Sequence, residues 1–278
     1  MPIDKAKVVE VHEEIRACFK GHLKSSNKSY ALDFKPGAPL QVKPHDAKAG
    51  QRGEHWKIVS AMPGSEKREF RNQQTELASE ILNKFRSPKF YGFPLPVHSD
   101  PVLRGFEVLN QKDLIGNCYE MAVAAAYVVA QRMVGTPWIG RITRPGDHAF
   151  CLVNGGVTPR WTSVAWMRIS QADAWIIDPW ANICCKQNEY PARFADQMRI
   201  WAHHGKQVWY RDENGIRNPV DPSSPTYLSG FEEGPLRFEK GSGKISDKLP
   251  RALQKQRAAQ ADPLPGAFGR WSPDDDWG

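Results

Sequence analysis

Apolar side chains recur every three to four residues in four stretches of the chain, and this spacing predicts four helices. The stretches span residues 1–20, 66–86, 117–134 and 190–205. The third is rich in alanine and apolar on almost every side, so we expect it to be buried. It opens at Asn117, a residue that suits an N-cap, and it ends at Gly135, which suits a C-cap.

Three short apolar runs follow this buried helix, and Gly, Pro and Asp turns separate them. The runs cover residues 137–143, 148–155 and 174–180. Their length and their bounding turns predict antiparallel strands that pack against the helix. A further strand that leads into a turn is predicted over residues 206–215. One buried helix beside antiparallel strands indicates an α+β fold.

The remaining segments divide the chain into three parts. Residues 1–64 combine the first helix with a stretch rich in Gly, Pro, Lys and Ser, which predicts loops with short strands at most. Residues 65–238 hold the periodic segments and form the predicted catalytic domain. Residues 239–278 are polar and low in large apolar side chains, so we expect a flexible tail with a short helix over residues 251–260.

Composition narrows the classes of function. The chain has 278 residues and a formal charge of +7, but its basic residues are scattered and no nucleic-acid module accompanies them, which disfavours a nucleic-acid partner. No stretch reaches the roughly 18 apolar residues of a membrane span, and the first twenty residues lack a signal-peptide core. Five cysteines without metal-ligand spacing indicate reduced thiols in a cytoplasmic protein, and we expect neither metal nor cofactor.

The residue types that thiol catalysis needs occur in order along the predicted core. Cys118 lies in the first turn of the buried helix, where free backbone N–H groups and the helix dipole stabilise a thiolate. His148 opens the second strand, and Asp178 ends the apolar part of the third. Each residue alone has an ordinary structural interpretation. Together they predict a triad in which Cys118 attacks, His148 acts as its base and Asp178 orients the histidine.

The sequence around these residues resembles the core of the papain-like and transglutaminase-like cysteine enzymes. The likeness is carried by Gly116-x-Cys118 at the start of an alanine-rich helix, GDHAFCLV at residues 146–153 and AWIIDPW at residues 174–180. In that superfamily the cysteine lies on a helix, the histidine on a strand and the acid on the next strand. Within it, the chain is similar to the papain-fold toxin and effector deamidases of bacteria, over about residues 116–182.

The resemblance implies a papain-like α+β fold and attack on a protein amide through a thioester intermediate. Deamidation of a protein glutamine is the first choice that it implies. The same triad also serves cysteine proteases, transglutaminases and acyltransferases, although the Arg-Gly-Gly approach to the cysteine of arylamine N-acetyltransferases is missing here. A non-catalytic interaction protein on the same fold stays open as an alternative. The expected partner is a protein substrate of a host or target cell.

The likeness to effectors also implies synthesis in the cytoplasm and delivery into a target cell by a specialised secretion system, with residues 1–64 serving delivery or docking. It further implies an oxyanion hole that uses the Cys118 backbone N–H and an upstream side chain. Gln111 is a candidate, although it precedes the cysteine by seven residues rather than six. Trp180 either covers the His148–Asp178 pair, as an aromatic residue does in papain relatives, or packs in the core. We also expect a narrow substrate slot walled by at least two of Trp138, Trp166, Trp175 and Trp180.

Overall fold

A computed structural model describes residues 3–19, 25–33, 41–42, 57–58, 65–86, 100–112, 114–143, 147–170, 172–211, 216–241, 245 and 247–261. Within these ranges the helices are α1 (Lys5–Cys18), α2 (Ser65–Arg86), α3 (Pro101–Leu109), α4 (Cys118–Gln131), α5 (Tyr190–His203), α6 (Pro225–Glu233) and α7 (Arg251–Ala261). The strands are β1 (Lys28–Tyr30), β2 (Gln41–Val42), β3 (Lys57–Ile58), β4 (Thr136–Ile142), β5 (His148–Asn154), β6 (Ala174–Asp178), β7 (Ile183–Lys186), β8 (Lys206–Arg211), β9 (Arg217–Val220) and β10 (Leu236–Lys240). A 3-10 helix spans Ala165–Ile169.

The fold is α+β, as the sequence predicts, and its centre is an antiparallel sheet in the order β10-β4-β5-β6-β7. Cys151 of β5 lies opposite Ile177 of β6. Successive side chains of a strand point to opposite faces, and residues directly opposite each other share a face. His148 is an odd number of residues from Cys151 in β5, and Asp178 is an odd number of residues from Ile177 in β6. Both therefore project from the face opposite to that of Cys151 and Ile177. The strand register therefore brings the predicted base and acid together.

Two smaller sheets accompany the central one. β1 pairs with β8 and β8 with β9, and both pairings are antiparallel. The β1 pairing ties the N-terminal part of the chain to the segment that follows α5. β2 and β3 form a two-stranded ribbon.

Helix α4 lies in the middle of the core and is buried along most of its length, in agreement with its all-round apolar sequence. It packs on β4, β5 and β6 and most extensively on α3. Gly105 allows this close approach, because a Cβ at that position would lie 2.0 Å from the carbonyl oxygen of Val123 in α4. The position of the nucleophile helix thus depends on α3.

The two ends of the described chain pack on the same core. Val8, Val11 and Ile15 of α1 are buried beside α4, and Leu253 of α7 is buried as well. The packed body therefore reaches α7, beyond the boundary at residue 238 that composition indicated. The end of the predicted tail, residues 262–278, lies outside the described residues, and the delivery role of residues 1–64 stays a prediction. Among the helices of the described ranges, none is long and apolar enough to cross a membrane.

The predicted helices at 1–20, 66–86, 117–134 and 190–205 correspond to α1, α2, α4 and α5, and the predicted strands to β4, β5, β6 and β8. Helix α3 was not predicted from the sequence. In the structure Asp100 caps the helix and Pro101 occupies the first turn, where a missing N–H has no consequence.

Candidate active site

The base and the acid form a buried hydrogen-bonded pair. The Nε2 atom of His148 lies 2.8 Å from Oδ2 of Asp178. The other carboxylate oxygen of Asp178 accepts a hydrogen bond from the Ala181 backbone N–H at 3.0 Å. Both side chains are almost completely buried. The carboxylate is thus fixed at both oxygens, and it holds the imidazole from one side.

Tyr190 is a further member of this cluster, and sequence reasoning missed it. Its hydroxyl donates to Oδ2 of Asp178 at 2.8 Å and lies 3.1 Å from Nε2 of His148. Tyr190 is the first residue of α5 and is fully buried. In the sequence, a tyrosine before a proline at the start of a helix cannot be distinguished from an ordinary core residue. Only the tertiary structure places its hydroxyl at the triad.

These contacts determine which nitrogen of His148 can act on the nucleophile. A carboxylate only accepts hydrogen bonds, and the single proton of the Tyr190 hydroxyl is directed at Asp178. Nε2 must therefore carry a proton, which it shares between the two oxygens. Nδ1 is the nitrogen that remains, and it is buried without a hydrogen-bond partner among the described atoms.

Cys118 is the predicted partner of this nitrogen. Nδ1 has no partner within strict hydrogen-bond geometry, and the Cys118 sulfur makes only a long contact of 3.9 Å with the Asp147 carbonyl oxygen. The thiol is nevertheless near enough that its interaction raises the pKa of His148. The sulfur and Nδ1 therefore lie near each other without a hydrogen bond of ordinary geometry. The structure therefore brings all three predicted residues to one place.

The electrostatics of the cluster favour an ionised pair. Burial by itself lowers the pKa of His148, but the charge and hydrogen bond of Asp178, and after them the nearby Cys118 thiol, raise it to about 10. Burial likewise opposes ionisation of Asp178, but His148, the Ala181 N–H and Tyr190 lower the pKa of that carboxyl. Burial and the neighbouring Asp178 raise the pKa of Tyr190, so its hydroxyl keeps its proton and remains a donor.

Aromatic rings enclose the imidazole. The ring centroid of His148 lies 5.0 Å from Trp180, 5.0 Å from Phe194 and 5.8 Å from Phe231. Phe194 and Phe231 stack on each other at 3.6 Å. Only 4% of His148 and 6% of Cys118 are exposed. Trp180 packs on the imidazole of the pair, and Phe194 of α5 and Phe231 of α6 pack on it as well.

Two of the other tryptophans named by the sequence lie far from His148 along the sheet, and a second tryptophan wall stays a prediction. Trp138 lies opposite Leu152, and Trp175 lies opposite Val153. These positions are about 13 Å or more along β5 from His148 at ~3.4 Å per residue. Trp166 is 57% exposed on the 3-10 helix. Alternation along a strand predicts the face on which a side chain lies, but not the end of the sheet that carries the site.

The start of α4 is held by polar contacts on two sides. Glu120 is buried, accepts the Asn117 backbone N–H at 3.0 Å and forms a bidentate salt bridge with Arg86 of α2 at 2.8 Å. The Asn117 side chain instead contacts Ser25 and Ser26, which precede β1. The helix turn that carries the nucleophile is therefore fixed from α2 and from the N-terminal part of the chain.

Gln111, the candidate for a second oxyanion donor, follows the end of α3. Its amide nitrogen is buried and lacks a hydrogen-bond partner in the described part of the chain. None of the hydrogen bonds among the described residues joins it to Cys118, so its role stays a prediction. The backbone N–H of Cys118 lies in the first turn of α4, where amides have no acceptor within the helix.

Comparison with protein-family models, with curated proteins and with solved structures found no match to this chain. The geometry of the site is therefore the basis for a functional assignment. Over the ranges that the structure describes, no cluster of three or more His, Cys, Asp or Glu side chains could hold a metal ion.

Proposed function

We propose that this protein is a cysteine hydrolase of papain-like fold that deamidates a glutamine side chain of another protein. One observation carries the proposal. Asp178 holds His148 through Nε2 at 2.8 Å, which leaves Nδ1 without a hydrogen bond, and Cys118 lies near the imidazole at the start of a buried helix. Nucleophile, base and orienting acid in this arrangement are the parts that covalent catalysis by a thiol requires.

The reaction follows from the positions of the protons. The thiolate of Cys118 attacks the carbonyl carbon of the substrate amide and forms a C–S bond, while the Cys118 backbone N–H stabilises the developing oxyanion. His148 donates its Nδ1 proton to the amide nitrogen, and the C–N bond breaks to release ammonia. His148 then takes a proton from water, and the hydroxide oxygen attacks the thioester. The thiolate leaves, and the product is a glutamate side chain.

The enclosure of the site supports a side-chain amide as the substrate. A protease must hold an extended backbone on both sides of its nucleophile. Here Cys118 is 6% exposed, and Trp180, Phe194 and Phe231 crowd the imidazole. A slender side chain that enters from one direction fits this geometry better than a chain that crosses it. The likeness of residues 116–182 to bacterial effector deamidases points to the same substrate and to action inside a target cell after delivery.

Mass spectrometry of a cell lysate incubated with the purified protein tests the proposal. We expect discrete glutamine-to-glutamate conversions without new chain ends, and we expect them to vanish with Cys118→Ala. Cys151→Ala is the matched control, because Cys151 is a fully buried cysteine of β5 on the opposite face from His148. It should retain the conversions.

Other outcomes would identify other reactions. New chain termini that depend on Cys118, without deamidated glutamines, would make the protein a protease. Glutamines joined to added amines would indicate a transglutaminase. No Cys118-dependent change in any protein, together with Cys118 labelling by iodoacetamide that His148→Ala leaves unaltered, would contradict catalysis and favour an interaction protein.

A further inference from the structure

Four residues at the start of the β1-β8-β9 sheet touch both sides of the active site. We call Ser25–Lys28 the N-terminal strap. Its first three side chains are buried, and its last residue, Lys28, opens β1. Sequence reasoning placed these residues in a loop-rich extension outside the catalytic domain. Their contacts connect them instead with the residue before the nucleophile and with the turn after the acid.

On one side the strap holds the start of the nucleophile helix. The Ser26 backbone N–H donates to Oδ1 of Asn117 at 2.9 Å, and Nδ2 of Asn117 donates to the Ser26 hydroxyl at 3.1 Å. A backbone N–H can only donate, so this contact determines the orientation of the Asn117 amide. The Ser25 hydroxyl lies 3.0 Å from the same Oδ1 atom. Asn117 is thus clamped directly before Cys118.

On the other side the strap holds the aromatic cover of the base. The indole N–H of Trp180 donates to Oδ1 of Asn27 at 2.8 Å, and the Lys28 ammonium donates to the Trp180 carbonyl at 2.7 Å. The Lys28 ammonium also lies 4.6 Å from the centre of the Trp180 ring, within cation–π range. Trp180 in turn packs on His148 and follows Asp178 by two residues.

The Ser25 hydroxyl joins the two sides. It lies 2.6 Å from Oδ1 of Asn27 and 3.0 Å from Oδ1 of Asn117, so its one proton is shared between the two amides. A continuous buried network therefore runs from Asn117 through the strap to Trp180. It spans from the nucleophile helix to the strand that carries the acid.

We propose that the N-terminal strap is a positioning element that sets the separation of Cys118 from His148, with Asn27 and Ser25 as its positioning residues. The inference rests on the proposed thiol chemistry and deepens it, because it gives residues 25–28 a part in catalysis. A buried hydrogen-bond network favours one arrangement of the elements that it joins. Misplacement of reacting groups by about 1 Å can lower a rate by about 100-fold.

The test is the rate of Cys118 alkylation by iodoacetamide near pH 6, measured on the full chain with substrate turnover alongside. Asn27→Ala removes the acceptor of the Trp180 N–H, and we expect alkylation and kcat to fall about 10- to 100-fold while KM changes little. Asn27→Asp keeps an oxygen acceptor and should restore most of the rate. If Asn27→Ala does not fold, Ser25→Ala breaks the link with a smaller change and should show the same direction.

The chain offers a matched control at the far end of the sheet. Asn154 is also a buried asparagine that accepts a tryptophan indole N–H, from Trp138 at 3.2 Å. Asn154→Ala should lower the melting temperature as Asn27→Ala does, but it should leave alkylation of Cys118 within about twofold of wild type. Equal loss of alkylation in both variants would mean that the strap stabilises the fold only.

The outcomes separate this inference from the function on which it rests. If His148→Ala suppresses alkylation but Asn27→Ala and Ser25→Ala do not, the thiol chemistry holds and the strap has no positioning role. If His148→Ala has no effect on alkylation, the proposed function itself fails.

Discussion

Tyr190→Phe is the change that tests the geometry of the site most directly. It deletes one oxygen and keeps the ring that packs on Phe150, Phe194 and Phe231. The lost hydroxyl donates to Oδ2 of Asp178 at 2.8 Å. Because Tyr190 is fully buried, we expect no water to replace the donor.

The expected loss follows from the charge of the acceptor. A hydrogen bond to an ionised group contributes about 1.5–3 kcal/mol, and a buried acceptor that loses its donor keeps the desolvation penalty. We therefore expect the free energy of unfolding to fall by about 2 kcal/mol, which corresponds to roughly 4–8 °C in melting temperature for a chain near this size. Since 1.4 kcal/mol is a factor of ten in rate, Cys118 alkylation should fall about 10-fold or more if the hydroxyl holds the base in place.

The pH dependence provides a second readout. The Tyr190 hydrogen bond helps to lower the pKa of Asp178, so its loss should raise that pKa. A carboxyl whose pKa is lower in the folded chain than in the unfolded chain stabilises the fold at pH values above its pKa in the unfolded chain. This stabilisation is lost as pH falls through its pKa in the folded chain. The acid unfolding transition of Tyr190→Phe should therefore move to higher pH.

Denaturant unfolding at several pH values measures both effects. Tyr127→Phe is the control, because this buried tyrosine of α4 donates to the neutral Lys248 carbonyl at 3.4 Å. It should lose about 1 kcal/mol or less and keep the acid transition of wild type. Wild-type stability and alkylation in Tyr190→Phe would refute the argument that the hydroxyl fixes Asp178.

Three other predictions concern the ion pair and the packing around it. Because the pKa of His148 is raised, its stabilisation of the fold should be complete below pH 6.5 and should be lost as pH rises toward about 10. Asp178→Asn should flatten this decline when the free energy of unfolding is measured with denaturant at several pH values. Gly105→Ala would put a Cβ 2.0 Å from the Val123 carbonyl oxygen, so unfolding should show a loss of about 3 kcal/mol or more. Leu253→Ala should lower the free energy of unfolding by about 2–5 kcal/mol in the same assay, because α7 packs on the core. A negligible loss would instead support the prediction of a flexible tail from residue 239.

The sequence predicts the elements of the triad because the signals are local. An alanine-rich helix and three apolar runs are visible without tertiary information, and strand alternation then relates His148 to Asp178. Tyr190 and the N-terminal strap leave no such signal. The strap contacts Asn117 and Trp180 across about 90 and 150 residues of chain, and single polar contacts at that separation produce no period. Such partners become visible only when the fold brings them together.

The cost of burying charge bears on whether the site is catalytic or structural. A buried ion pair is weak evidence for stability, since well-packed apolar side chains of similar volume often serve as well or better. Here an imidazolium, a carboxylate and a tyrosine hydroxyl lie among aromatic rings that could form an apolar core without them. The proposed thiol chemistry supplies a reason for that arrangement, because the enclosure that makes the charges costly also limits water at the cysteine and holds the base at one nitrogen.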